Sequence, residues 1–198
     1  IRMVRRVGLG PGVVRRVVRR VVRRVVGRLV AGLGVVIGHR CVVDRRVVAM
    51  RVYDRRLRWS VPRWLPARIA GRTVDAIHRR SKYLLFRFSA DTLLVHFGMT
   101  GSLRAFNHPP PRRPHDHVDI VLDSGVTLRY HDPRRFGAML WLPPPAEAHP
   151  LLAGLGPEPL EAGFDTDYLA DRARGRRVTI KQFLMDQRIG VGVGNIYA

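Results

Sequence analysis

Between residues 47 and 142 the chain is written as short apolar runs separated by turn signals, and this constrains its fold more than any other feature. VVAMRVY (47–53), TVDAIHR (73–79), YLLFRF (83–88), TLLVHF (92–97), HVDIVLD (117–123), VTLRYH (126–131) and GAMLWL (137–142) read as strands. Asp-Ser-Gly at 123–125 supplies a hairpin turn between two of them. Many short strands at such spacing predict a β-sandwich or barrel. The proline triplet at 143–145 then closes the β region, and the period becomes helical. Helices are expected in HPLLAGL (149–155), from Asp165 to Arg174 with Asp165 as N-cap, and in TIKQFLMDQ (179–187). The expected class is α+β: a β-sandwich domain over 27–145, then a helical domain over 146–198.

Residues 1–26 differ from everything after them. VVRRVVRRVVRRVV (13–26) repeats every four residues, so a helix would keep a slowly drifting valine stripe, whereas a strand could not alternate its faces. A basic arm on nucleic acid or membrane is one reading. The other, low-complexity sequence or a wrong start or frame, outweighs it, because valine is a mediocre helix former and nothing caps the segment.

Charge narrows the partners. The 198 residues carry 36 Lys+Arg against 15 Asp+Glu, a formal net charge of +21, with 46% hydrophobic residues. Such a chain can build a core and favours a polyanion, although DNA, RNA and anionic membranes all reward arginine. The lone Cys41 excludes a disulfide framework and a cysteine-rich zinc site within these residues. No uncharged apolar run reaches membrane-spanning length, and the valine-arginine alternation is no signal peptide. A cytoplasmic, nucleoid-associated bacterial monomer with no membrane partner is expected.

Only Lys82 and Lys181 among the basic residues are lysines, and amines do chemistry that guanidinium groups cannot. Lys82 sits at the mouth of a strand behind Arg79 and Arg80; there it is a proton donor or nucleophile, part of a phosphate site, or a solvated strand end. HFGMTGSLR (96–104) is a glycine-flanked turn from which Met99 could project, though a lone methionine is more often core. His115-Asp116-His117 suggests a metal, yet in a strand the histidines would share a face with Asp116 opposite, and no third ligand is evident. A polar strand start facing DNA is preferred, with no metal site. In HDPRRFG (131–137), Arg134 and Phe136 share a loop tip. A ring can wedge into a base step while a guanidinium replaces the lost hydrogen bonds. A salt-bridged hairpin accounts for that loop equally well. Arg176, Arg177 and Lys181 precede or enter a helix, and a glycine-spaced turn then leads to Asn195, where backbone N–H groups could grip a phosphate.

In this order, RRSKYLL, HFGMTGSLR, HDHVDIVL, DPRRFG, HPLLAGLGPEPL, IKQFLMDQ and VGVGNIYA resemble the formamidopyrimidine-DNA glycosylase family of base-excision repair, from Tyr53 to Ala198. The resemblance implies a β-sandwich and a helix-two-turn-helix domain that bind duplex DNA. The implied activity is excision of oxidised purines such as 8-oxoguanine and formamidopyrimidines, followed by β,δ-elimination at the abasic site. It implies Lys82 as proton donor in β-elimination, and His115, Arg134, Arg176, Lys181 and Asn195 as DNA contacts. Met99, Arg134 and Phe136 would fill the gap left by the flipped base.

The departures concern catalysis. The family nucleophile is an N-terminal proline amine followed by a glutamate acid, a pair due near Gly27 and Arg28. Neither residue is there, and no glutamate precedes Glu147. The family's four-cysteine zinc finger would lie beyond residue 198, so no cofactor is expected in this chain. The expectation is a fragment of the family pattern with little or no turnover, or else a non-catalytic protein that binds damaged DNA.

Overall fold

The computed structural model describes residues 35–36, 41–159, 161 and 163–193. The arginine-valine segment and Asn195 lie outside them. The described residues divide into two compact units, one within Leu33–Leu152 and the other from Ala153 onward.

The first unit is a sandwich of two sheets. Its strands are β1 (Val35–Val36), β2 (Val47–Val52), β3 (Ala76–Arg80), β4 (Tyr83–Phe88), β5 (Asp91–His96), β6 (Ser102–Phe106), β7 (Asp116–Leu122), β8 (Thr127–His131) and β9 (Ala138–Leu142). One sheet has the order β1-β6-β8-β7-β2, the other β3-β4-β5-β9. All pairings are antiparallel except β1 with β6. Alternation along each strand fills the space between the sheets. Phe86, Leu93 and Val95 of one sheet and Val118, Ile120, Leu128 and Tyr130 of the other belong to one buried cluster.

The outer face of the five-stranded sheet carries charge. Arg129 donates through Nε and Nη2 to both carboxylate oxygens of Asp119 at 2.8 Å and through Nη1 to the Pro110 carbonyl at 2.7 Å. Burial is tolerated because the charges are paired and their donors used.

The 123–125 turn is as expected, with Gly125 at φ 84° and its N–H donating to Leu122 O at 3.0 Å. Among the elements not foreseen are β1, β6 and a short helix, α1 (Leu65–Ile69), whose i and i+4 side chains Leu65 and Ile69 are buried. Strand β3 also starts at Ala76, three residues later than the apolar run suggested.

After the prolines come a helical turn, α2 (Pro150–Ala153), then α3 (Thr166–Ala173) and α4 (Ile180–Met185). Asp165 caps α3, accepting from the Tyr168 N–H at 2.8 Å. Thr179 and Gln182 form a capping box on α4. Phe164, Leu169, Phe183, Leu184, Ile189 and Val193 pack together as this unit's core. No helix among the described residues is long and apolar enough to cross a membrane.

Candidate nucleic-acid interface

Strand register brings the sequence motifs to one end of the sandwich. Tyr83 pairs with His96, and His96 with Ala138. The β3–β4 tip at Ser81-Lys82, the turn after β5 and the loop before β9 therefore emerge side by side. In the other sheet Ser102 pairs with His131, and His131 with Asp116, so the start of β7 is at the end of β8. The two sheet ends are joined where Phe97 stacks on Tyr130 with ring centroids 6.1 Å apart and Tyr130 Oη donates to His96 O at 2.9 Å.

Asp132 is the tie between loops. Its side chain is 0% exposed. One carboxylate oxygen accepts from Thr100 Oγ1 at 2.9 Å and from the Arg134 N–H at 3.3 Å; the other accepts from the Gly137 N–H at 2.8 Å. His117 Nε2 donates to the Asp132 carbonyl at 2.8 Å. Two glycines allow the close approach. A Cβ on Gly137 would collide with Tyr130 Oη, and one on Gly98, at φ 59°, would come within 2.7 Å of the Phe136 carbonyl carbon. Met99 and Phe136, 37 residues apart in sequence, are thereby held on adjoining loops.

These loops hold large side chains out to solvent. Met99 is 72% and Phe136 46% exposed. The Arg134 guanidinium lies 4.6 Å from the Phe136 ring centroid. The paired arginines divide their work: Arg135, at φ 58°, is bound to Asp54 at 3.2 Å, while Arg134 stays exposed at the tip. Lys82 is exposed on the two-residue hairpin turn, after Ser81 at φ 56°. Among the described residues, three of the five non-glycine residues with positive φ, namely Ser81, His115 and Arg135, are at this end. Local backbone strain of this kind concentrates at functional sites.

The His115-Asp116-His117 expectation is corrected. The histidines do not share a strand face, because β7 begins at Asp116, its register shifts between Asp116 and Val118, and His115 has φ 71°. His115 is exposed and His117 buried. Asp116 is buried too, accepting from the Arg113 N–H at 2.8 Å and bonded to His131 Nδ1 at 2.9 Å. Burial raises the Asp116 carboxyl pKa, but those hydrogen bonds and the Arg129 charge outweigh it and hold the pKa below the ordinary range. No group of three or more His, Cys, Asp or Glu among the described residues could hold a metal ion.

Residues that sequence reasoning missed complete this end. His96 is half-buried, with its ring 5.3 Å from that of Tyr83. Burial lowers its pKa, and the Arg58 and Lys82 charges push the same way, outweighing the Phe136 backbone hydrogen bond and the Asp132 charge. Arg58 donates its backbone N–H to Gly137 O at 2.9 Å. The only sequence signal for either was its place beside a basic or glycine-rich motif.

In the helical unit Arg176 and Lys181 are exposed. Arg176 pairs with Asp186 at 3.3 Å and lies 5.9 Å from the Phe183 ring centroid.

The fold and these loops define a class: a β-sandwich whose buried polar frame holds Met99, Arg134 and Phe136 out to solvent at one end. Comparison with known proteins makes the class specific. The formamidopyrimidine-DNA glycosylase N-terminal domain matches residues 35–139, and the same family's H2TH domain matches 155–198. The chain belongs to the formamidopyrimidine-DNA glycosylase family. It is 55% identical over 159 residues to the formamidopyrimidine-DNA glycosylase of Thioalkalivibrio sulfidiphilus, covering 80% of this chain and 59% of that protein. Identity to the Stutzerimonas stutzeri enzyme of that name is 54% over 157 residues, covering 79% and 58%. The chain thus spans about six-tenths of the length of these relatives. Among solved structures, the Lactococcus lactis enzyme bound non-covalently to DNA containing an abasic site is similar with a TM-score of 0.71 and 28% identity, over 80% of this chain and 61% of that one. The same enzyme with DNA containing Fapy-dG gives 0.69 and 27%, over 91% and 63%.

Proposed function

We propose that this chain recognises oxidised-purine and abasic sites in duplex DNA, in the manner of a base-excision DNA glycosylase/AP lyase. The observation that carries the reading is the convergence of Met99, Arg134 and Phe136 on loops locked together by Asp132. A flipped nucleotide leaves a gap in the stack, and a flexible thioether, a ring and a guanidinium suit its apolar walls and its orphaned base. In this reading Lys82 is the proton donor for β-elimination, His115, Arg134, Arg176, Lys181 and Asn195 contact the DNA, and 8-oxoguanine and formamidopyrimidine are the bases removed by the family reaction.

We further propose that these 198 residues bind without efficient turnover. Gly27 and Arg28 stand where the family pattern puts proline and glutamate. Neither offers the secondary amine that forms the Schiff base or the carboxyl that protonates the leaving group. The second reading, a non-catalytic binder of damaged DNA, gains from the same fact.

Nicking of an 8-oxoguanine duplex and affinity for an abasic duplex should be measured together. Tighter binding to the abasic than to the undamaged duplex, with no nicking, is the expected result. Turnover equal to that of a full-length relative would refute the inactivity. Equal affinity for damaged and undamaged DNA would refute lesion recognition.

A further inference from the structure

The segment YDRRLRWSVPRW (53–64) carries four arginines that the proposed Met99, Arg134 and Phe136 probe does not use and two exposed indoles, Trp59 at 39% and Trp64 at 54%. It is rigid by construction. Leu57 and Val61 are anchored in the core, and Arg55 Nη1 donates to the carbonyls of Val61 and Pro62 at 3.0 and 2.8 Å. Asp54, its only acid, is already bound to Arg56 at 2.9 Å and Arg135 at 3.2 Å. Arg58 has no carboxylate partner among the described residues; its guanidinium lies 4.9 Å from the Trp59 ring centroid. One tie fixes its backbone: its N–H is bound to the Gly137 carbonyl of the probe loop at 2.9 Å, and its charge is near enough to act downward on the pKa values of Tyr83 and His96, a cross-strand pair.

We propose that Arg58 and Trp59 form a second DNA contact beside the probe, Arg58 holding one backbone phosphate and Trp59 packing against a sugar of the same strand. The inference rests on the duplex-DNA reading above and adds a contact to it. A guanidinium with no carboxylate partner among the described residues, set on an exposed indole, is pre-oriented for an anion, because the ring restricts the side chain without neutralising its charge. The carbonyl of Gly137 sets the distance between this contact and the tip, so phosphate binding at Arg58 and insertion of Phe136 share one rigid support. Backbone contacts position a protein on DNA without reading the base, so this pair should add affinity and leave lesion preference alone.

Binding of the full chain to abasic and undamaged duplexes across salt concentrations separates the two roles. Arg58→Ala/Trp59→Ala should weaken both duplexes equally, by roughly tenfold, and lower the salt slope by about one. Arg58→Gln, which keeps the stem, should carry the slope change alone and decides the matter if the double variant is unstable. Met99→Ala/Phe136→Ala should instead abolish the abasic preference with the slope unchanged. Wild-type binding that neither Arg58 variant alters overturns the inference only. Wild-type failure to bind duplex DNA overturns the proposed function and this contact with it.

Discussion

The sandwich and the helical unit solve the same problem, holding basic side chains out to solvent, with different reserves. The sandwich sets its loops on a cluster of twenty-two buried residues shared by both sheets. The helical unit places Arg176 and Lys181 over a cluster of six among the described residues. In the first, loop positions follow from strand register and a buried carboxylate. In the second they depend on helix caps and a few large side chains, because α3 and α4 are far too short to be stable alone. Exposed basic side chains are therefore held by a large shared core in one unit and by caps and a small core in the other.

Substitutions can break this contrast. Phe86→Ala, at the centre of the larger core, should cost roughly 3–5 kcal/mol of global stability, read from the urea midpoint. Phe183→Ala should cost about 3 kcal/mol but act locally, opening 164–193 to proteolysis while the sandwich keeps its melting temperature; coincident loss of both units would erase the distinction. Gly137→Ala should cost roughly 1–3 kcal/mol as Tyr130 and the His96 carbonyl move aside, and should cost lesion preference more than total affinity. A smaller effect is expected from Thr179→Ala, which removes one half of the α4 capping box, about 1 kcal/mol by amide exchange of the helix.

The smallest concerns pH. The Arg188 N–H, opposed by burial and joined by the Arg188 and Arg176 side chains, holds the Asp186 carboxyl below its ordinary value of 3.8. Its contribution is therefore present above pH 3.8 and lost as the pH falls through the lower folded value. The melting temperature of the helical unit should fall as the pH drops below about 4, and fall less in Asp186→Asn. An identical acid slope in the variant would show that this ion pair contributes nothing.

Most of the local structure was legible because it is encoded between near neighbours. Short apolar runs gave seven of the strands, Asp165 announced its helix through a side chain that reaches its own backbone, and Asp-Ser-Gly named its turn. The failures share a cause. Ser102–Phe106 read as the end of a glycine-rich turn because its strand character comes from pairing with β8, twenty-odd residues away. His115 and His117 were assigned one face because a register shift is invisible in a pattern.

Arginine, methionine and phenylalanine motifs, and with them membership of the family, were present in the residue order alone. What tertiary structure alone decided is that they meet. Asp132 looked like the first residue of a turn; folded, it is a buried acceptor whose donors come from two loops that strand register, set by pairings across 40 or more residues, brings within 3 Å of it. Local sequence specifies which conformations a segment prefers, because sterics and short-range hydrogen bonds act over a few bonds. Which loops become neighbours depends on how distant apolar faces bury one another, an energy that belongs to the whole sandwich and to no segment of it.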